Sequence, residues 1–257
     1  MTVINEVYHH HKEVKNILNE TSKDSQILMT ALIGSQNYCL DNENSDIDTF
    51  TLILPDFFTF ISNNKWTSFE IETSNGKCTI KDFRLMMNLL RKVSPNSAEV
   101  FCSKYIYFEP QYENIFKYYL SQVQLNDMIH CNFQNMYNAI NGLAKQLHGR
   151  NMTSGKKYSH LIRLNQMFDE YNTCSTGDIF TLYGKDLVKA REAKFSDKDF
   201  SKEIIELQNS LEQKIKNIKI TPMNKSQEAS GNKLINQFQT EVTQCYLKLT
   251  NKELYGI

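Results

Sequence analysis

The sequence predicts an α/β protein of the α+β kind, with strands and helices up to about residue 108 and helices alone after it. Three observations carry this. Short apolar runs bounded by turn residues occur only in the first part, at 26–33, 49–54 and 67–80. From about residue 110 onward, apolar residues recur instead at helical spacing. The chain has 257 residues, 40% of them hydrophobic and 23% charged, enough for one large domain or two small ones. The division predicted is 1–108 and 109–257.

Taken in order, residues 3–22 read as a helix, with Val3, Val7, Val14 and Leu18 near helical spacing. His9-His10-His11 lies within it. Three adjacent helical residues point in three directions, so they cannot hold one metal ion together, and a solvated or partly packed helix is expected. Residues 26–33 and 49–54 read as strands flanking a polar loop, the second stopped by Pro55. Residues 67–73 alternate, and Ser74-Asn75-Gly76-Lys77 is a turn before a return strand at Cys78-Thr79-Ile80. Asp82 is a good cap for a helix carrying Phe83, Met86, Met87 and Leu90, which ends before Ser94-Pro95-Asn96.

Further helices are predicted at 110–122 (opening at Pro110), 126–148, 156–171 and 178–193, with a loop at Gly149–Gly155 and a break at Asn172–Gly177. Phe200, Ile204, Leu207, Leu211 and Ile215 mark the next helix. TPMNKSQEASGN at 221–232 reads as a polar linker. Leu234, Phe238, Val242, Cys245 and Leu249 mark a C-terminal helix.

Lys and Arg total 29 and so do Asp and Glu, so no global field draws in nucleic acid or anionic membrane. No stretch is long and apolar enough for a membrane span, and MTVINEVYHHHKEV is no signal peptide. Cys39, Cys78, Cys102, Cys131, Cys174 and Cys245 are scattered without a C-x-x-C pair, which fits reduced thiols and a cytoplasmic protein. The charge is nevertheless segregated. From Asp24 to Asn64 there is no Lys, Arg or His, but there are Asp41, Glu43, Asp46, Asp48 and Asp56. From Met128 to Phe168 there is no acid, but there are Lys145, Arg150, Lys156, Lys157 and Arg163 with His130, His148 and His160. Two such segments suit a metal-plus-phosphate site; they equally suit two complementary faces packed together.

The chain is organised around GSQNYCLDNENSDIDTFTLILP, residues 34–55. In a strand, Asp46 and Asp48 share one face with Ile47 behind them. Two neighbouring carboxylates repel and call for a cation or a shared proton. Hard oxygen ligands suit Mg²⁺ or Mn²⁺, which in turn hold nucleotide phosphates. Gly34 lets the backbone approach a ligand and Ser35 offers a hydroxyl to phosphate. Each pair alone is a weak signal; apolar strand, Gly-Ser, ten-residue loop, Ser-Asp-x-Asp and apolar strand in that order are specific. The second stretch is GKKYSHLIRL, where Lys156, His160 and Arg163 stand at i, i+4 and i+7 on one helix face. Basic groups near a helix N-terminus suit a polyphosphate, although a solvated face has the same pattern.

These stretches, with IKDFRLM and the SAEVF run around Glu99, resemble the DNA polymerase beta-like nucleotidyltransferase superfamily. Within it they resemble the RNA ligase-associated predicted nucleotidyltransferases of phages and bacteria, over roughly residues 27–215. The resemblance implies a mixed sheet with flanking helices as the nucleotidyltransferase core, followed by a helical domain. It implies metal-dependent transfer of NMP from an NTP to a hydroxyl on RNA, protein or a small molecule. Asp46 and Asp48 would bind the metal, Mg²⁺ or Mn²⁺, and act in catalysis; Gly34 and Ser35 would hold the triphosphate, with Lys156, His160 and Arg163 near it. The expected setting is a bacterial or phage-infected cytoplasm, with an RNA end or a protein as possible acceptor and no membrane. Two residues depart from the pattern. Thr79 stands where a third carboxylate is expected, with Glu70, Glu72 or Asp82 as substitutes. Cys39 stands where the family has glycine. An alternative is therefore a degenerate member that binds or sequesters a nucleotide or partner without transfer, or one in which the fold alone serves as a scaffold.

Overall fold

The computed structural model describes residues 2–21, 25–62, 64, 68–173 and 179–255. Thr67, Cys174 and most of the predicted break at 172–177 lie outside them. A helix, α1 (Val3–Thr21), leads into β1 (Gln26–Ile33). A 3₁₀ turn (Ser35–Tyr38) and a loop separate β1 from β2 (Asp48–Leu54). A short helix α2 (Phe57–Ile61) precedes the hairpin of β3 (Ser68–Thr73) and β4 (Gly76–Asp82). Then come α3 (Phe83–Arg91), α4 (Pro95–Phe101) and β5 (Ile106–Phe108).

The five strands form one mixed sheet in the order β3-β4-β2-β1-β5, in which β2 and β4 run parallel and the other neighbours antiparallel. The fold class is thus the one the sequence predicts. Alternation sorts the side chains to two faces. Val14 and Leu18 of α1 cover Ile27, Ile53, Cys78 and Ile80 on one face. Met29, Ala31, Phe50 and Leu52 face the larger core shared with the later helices.

The α1 face is unusually polar at its centre. His10 and His11 are 0% and 2% exposed, so the helix is packed there and not solvated. His10 Nδ1 bonds Thr49 Oγ1 at 3.0 Å; His11 Nδ1 bonds Thr30 Oγ1 at 3.0 Å and its Nε2 meets Glu109 Oε1 at 2.9 Å. Lys15 donates to the same carboxylate at 2.8 Å. The two histidines serve separate hydrogen bonds, and no metal role follows from their adjacency.

The helical region comprises α5 (Glu113–Tyr119), α6 (Gln122–Ile129), α7 (Phe133–Gln146), α8 (Ser154–Asn172), α9 (Gly184–Lys194), α10 (Ser201–Lys216) and α11 (Pro222–Tyr255). The single helix expected at 126–148 is broken at His130–Asn132. There Asn132 caps α7 by accepting from Asn135 N–H, and His130 is held by the Asn126 and Tyr171 carbonyls. Ile129 and Phe133 keep helical phase across the break, which hides it in the sequence. The linker expected at 221–232 is instead the start of α11. Thr221 and Asn224 bond reciprocally around Pro222, as a helix start does. Gly231 lets α11 cross α6 closely: a Cβ there would lie 2.1 Å from the Asp127 carbonyl oxygen. Phe238 then seats α11 against Phe83, Phe116 and Tyr119, with ring centroids 5.5, 5.1 and 4.8 Å away. Among the described residues no helix is long and apolar enough to cross a membrane.

Candidate functional site

The turn after β1 brings the backbone close to a carboxylate. Gly34 has φ 77°, and a Cβ there would lie 3.2 Å from Asp48 Oδ2. Ile33 pairs with Asp48 across the antiparallel ladder, so the Gly-Ser turn and the start of β2 are neighbours. Cys39, where the resemblance expects glycine, ends the 3₁₀ turn at φ 57°. That is the left-handed region a glycine adopts without strain.

A cleft of about 250 Å³ opens beside this turn. Gly34, Ser35 and Asp48 line one wall; Lys156, His160 and Arg163 of α8 line the other; Tyr38, Leu40 and Met152 add apolar surface, and Lys194 of α9 closes the end. The two sequence stretches, over a hundred residues apart, therefore meet in one place. Asp46 does not face this cleft. It lines an adjacent polar depression of about 400 Å³ with Glu6, Gln36 and Asn42.

The electrostatics differ between the walls. Burial raises the Asp48 carboxyl pKa, the negative charges of Asp46 and Glu70 raise it further, and the Lys77 backbone N–H and ammonium oppose this. Burial lowers the His160 pKa to about 3, with the charges of Arg163, Lys156, Arg150 and Lys194 pushing the same way, so the imidazole is neutral at physiological pH. The Arg163 guanidinium lies 4.0 Å over the Tyr38 ring. Its Nε is buried with no hydrogen-bond partner among the described residues. Behind it, Glu99 is 6% exposed and accepts from Gly34 N–H at 3.1 Å. Burial raises the Glu99 pKa, against the Arg163 charge and hydrogen bonds from Tyr38, Gly34 and Asn37. Glu99 thus ties the Gly-Ser turn to the basic helix.

The substitutes for a third carboxylate can now be separated. Thr79 stands opposite Phe50 in the parallel pair, on the face of Asp48. Its hydroxyl lies 3.5 Å from Glu70 Oε1 on β3. Glu72 pairs with Lys77 at 3.1 Å. Asp82 is fully buried as the α3 cap, in a 2.6 Å fork with Arg84. Glu70 is therefore the candidate on the face of Asp48. Among the described residues no group of three or more His, Cys, Asp or Glu side chains is placed to hold a metal ion.

Tyr38 and Lys194 are not among the residues the sequence singles out. Tyr38 ends the 3₁₀ turn that follows Gly34, inside the organising stretch, and its ring meets Arg163 of α8; Lys194 joins through the packing of α9.

No family model matches the chain, and no curated protein matches it. A solved structure similar to it is the crystal structure of a nucleotidyltransferase-like protein from Exiguobacterium sibiricum. The two share 12% identity over 90% of this chain and 80% of that one, with a TM-score of 0.31.

Proposed function

We propose that the cleft binds the polyphosphate of a nucleoside triphosphate and that the protein transfers the nucleoside monophosphate to a hydroxyl acceptor. The observation that carries this is the meeting of Gly34, Ser35 and Asp48 with Lys156, His160 and Arg163 around one cavity. Lys156 and Arg163 bring charge-assisted donors to phosphate, and Arg163 retains an unpartnered N–H. Neutral His160 offers one donor and one acceptor at the same wall.

Of the two carboxylates Asp48 lines the cleft, while Asp46 opens to the adjacent depression. Both are hard oxygen ligands, and burial first, then the Asp46 charge, raises the Asp48 pKa. A divalent cation would be held by Asp48, and Asp46 would join it only by turning towards the cleft. Mg²⁺ held by one or two carboxylates takes its remaining ligands from water and phosphate, so no third carboxylate is required to bind it. When bound it would neutralise charge on the transferring phosphoryl group. Asp48 is the group within the cleft to orient an attacking hydroxyl.

Thr79 favours a second reading, nucleotide capture without transfer. The position beside Asp48 on β4 lacks the carboxylate that would serve as base, and Glu70 reaches it only from the next strand.

The test is incubation of the purified protein with each α-labelled NTP and Mg²⁺ or Mn²⁺, with and without RNA, alongside calorimetric binding of the same nucleotides. Label transfer with pyrophosphate release, lost in Asp46→Ala, supports the first reading. Binding without transfer supports the second. No binding of any NTP refutes both.

A further inference from the structure

The cleft has a third basic group, on α9, which rests on packing and not on either sequence stretch. Lys194 is the last residue of α9 and lines the cleft with Lys156 and Arg163. Two contacts hold it there. Gly155, in the first turn of α8, lies so close to the end of α9 that a Cβ would sit 2.0 Å from the Ala193 carbonyl oxygen. Lys194 Nζ also donates to the Leu40 carbonyl, on the loop that leads to Asp48. An ammonium has three donors, so this bond leaves two for a ligand. Burial, then the neighbouring Lys156, lowers the Lys194 pKa, while Asp41 opposes this. An anion in the cleft would relieve that crowding of positive charge.

We infer that Lys194 binds phosphate in this cleft, and that with Lys156 and Arg163 it selects ligands carrying several phosphates over those carrying one. The inference rests on the reading of the cleft as a nucleotide site. Three cations face a single carboxylate, Asp48, in a half-enclosed space. Attraction there is weakly screened and grows with the charge of the ligand. A monophosphate can satisfy one or two of these donors; a triphosphate can span all three.

The test is calorimetric titration of the full chain, the Lys194→Gln variant and the Lys194→Arg variant with ATP, AMP and inorganic tripolyphosphate. Loss of one charge-assisted contact predicts about tenfold or greater weakening of ATP and tripolyphosphate in Lys194→Gln, and less than about threefold for AMP. Lys194→Arg keeps the charge and restores most of the ATP affinity. The salt dependence of ATP binding becomes shallower in Lys194→Gln. A second variant, Arg191→Gln, removes a neighbouring 3.0 Å tether to the Asp41 carbonyl without touching the cleft lining. It leaves the ATP-to-AMP affinity ratio unchanged. Equal losses for ATP and AMP in Lys194→Gln would assign Lys194 to holding the loop alone and overturn the inference. Unchanged ATP affinity in a folded Lys194→Gln would overturn it too, while leaving the nucleotide reading intact. If the unmodified chain binds neither ATP nor tripolyphosphate, the reading of the cleft fails and the inference with it.

Discussion

Gly155→Ala places one methyl group where α8 meets α9. A Cβ built there would lie 2.0 Å from the Ala193 carbonyl oxygen and 3.2 Å from the Ser196 carbonyl oxygen. Ordinary contact begins near 3.4 Å, so the two backbones must part by about 1.4 Å. The first obstacle is backbone and cannot rotate away. Overpacking of this kind costs about 1–3 kcal/mol. Replacing glycine in a helix returns up to about 1 kcal/mol. The expected net loss is about 1–2 kcal/mol, read as a lower urea midpoint at constant m value. Gly142 on α7 is the internal comparison, because nothing lies within 4 Å of its Cβ position. Gly142→Ala should stabilise the chain by up to about 1 kcal/mol. The same movement shifts Lys194 relative to Lys156, so ATP affinity should fall in Gly155→Ala and hold in Gly142→Ala. A Gly155→Ala variant as stable as the parent would refute the close approach and the argument that it seats Lys194.

Three other outcomes are expected. Cys39→Gly should raise stability by about 0.5–1 kcal/mol, the relief of left-handed strain less the added freedom of the unfolded chain, visible as a higher Tm; a lower Tm would count against strain at this turn. Thr79→Asp puts a carboxylate on the face of Asp48 beside Glu70, so it should lower Tm without metal and gain more from Mn²⁺ than the parent does; equal Mn²⁺ shifts would remove Thr79 from the metal argument. Acid should destabilise the fold in two windows. The hydrogen bond from His11 and the charge of Lys15 lower the Glu109 pKa to about 2 from 4.5, so its contribution is present above pH 4.5 and is lost as pH falls toward 2. His160 titrates near 3 in the fold and 6.5 unfolded, so the unfolded chain takes up the proton first and stability falls from pH 6.5 downward. Urea midpoints of Glu109→Gln and His160→Asn across pH 2–7 should each lose the slope in one window only.

What the sequence made legible is what local rules govern. The strands 26–33 and 49–54 announce themselves by apolar runs with clear stops, and Asp82 is the cap it was expected to be. The clustering of Gly34, Ser35 and Asp48 follows from two strands joined by one turn. Three features escaped, two because they depend on contacts between distant elements and one because it turns on where a strand begins. The break at His130–Asn132 preserves apolar phase, and it is defined by carbonyls on α6 and α8. The start of α11 is polar because much of it is exposed, and its glycine is a packing contact with α6 rather than a flexible joint. Asp46 and Asp48, two residues apart, open to different sides because Asp46 precedes the strand that Asp48 begins.

The same distinction explains the uneven charge of the chain. The acidic and basic segments do pack against each other, yet they do not cancel by pairing. Arg163 stacks on Tyr38 and shares Glu99 with the Gly-Ser turn, and Lys194 bonds a carbonyl of the acidic loop. Neutral His160 sits among these cations at the price of a depressed pKa. A purely structural interface between complementary segments would pair each of these cations with a carboxylate. Here Arg163 has Glu99 behind it and the Tyr38 ring beneath it, and Lys194 is held by a backbone carbonyl; Lys156, Arg163 and Lys194 all line the cavity. That arrangement is costly for an empty fold and favourable for one that receives an anion. The choice left open by composition, between complementary faces and a phosphate site, is therefore decided by whether a polyanion stabilises the fold. If tripolyphosphate raises Tm in the parent and not in Arg163→Met, the charge serves a ligand; equal shifts in both would return the segments to packing alone.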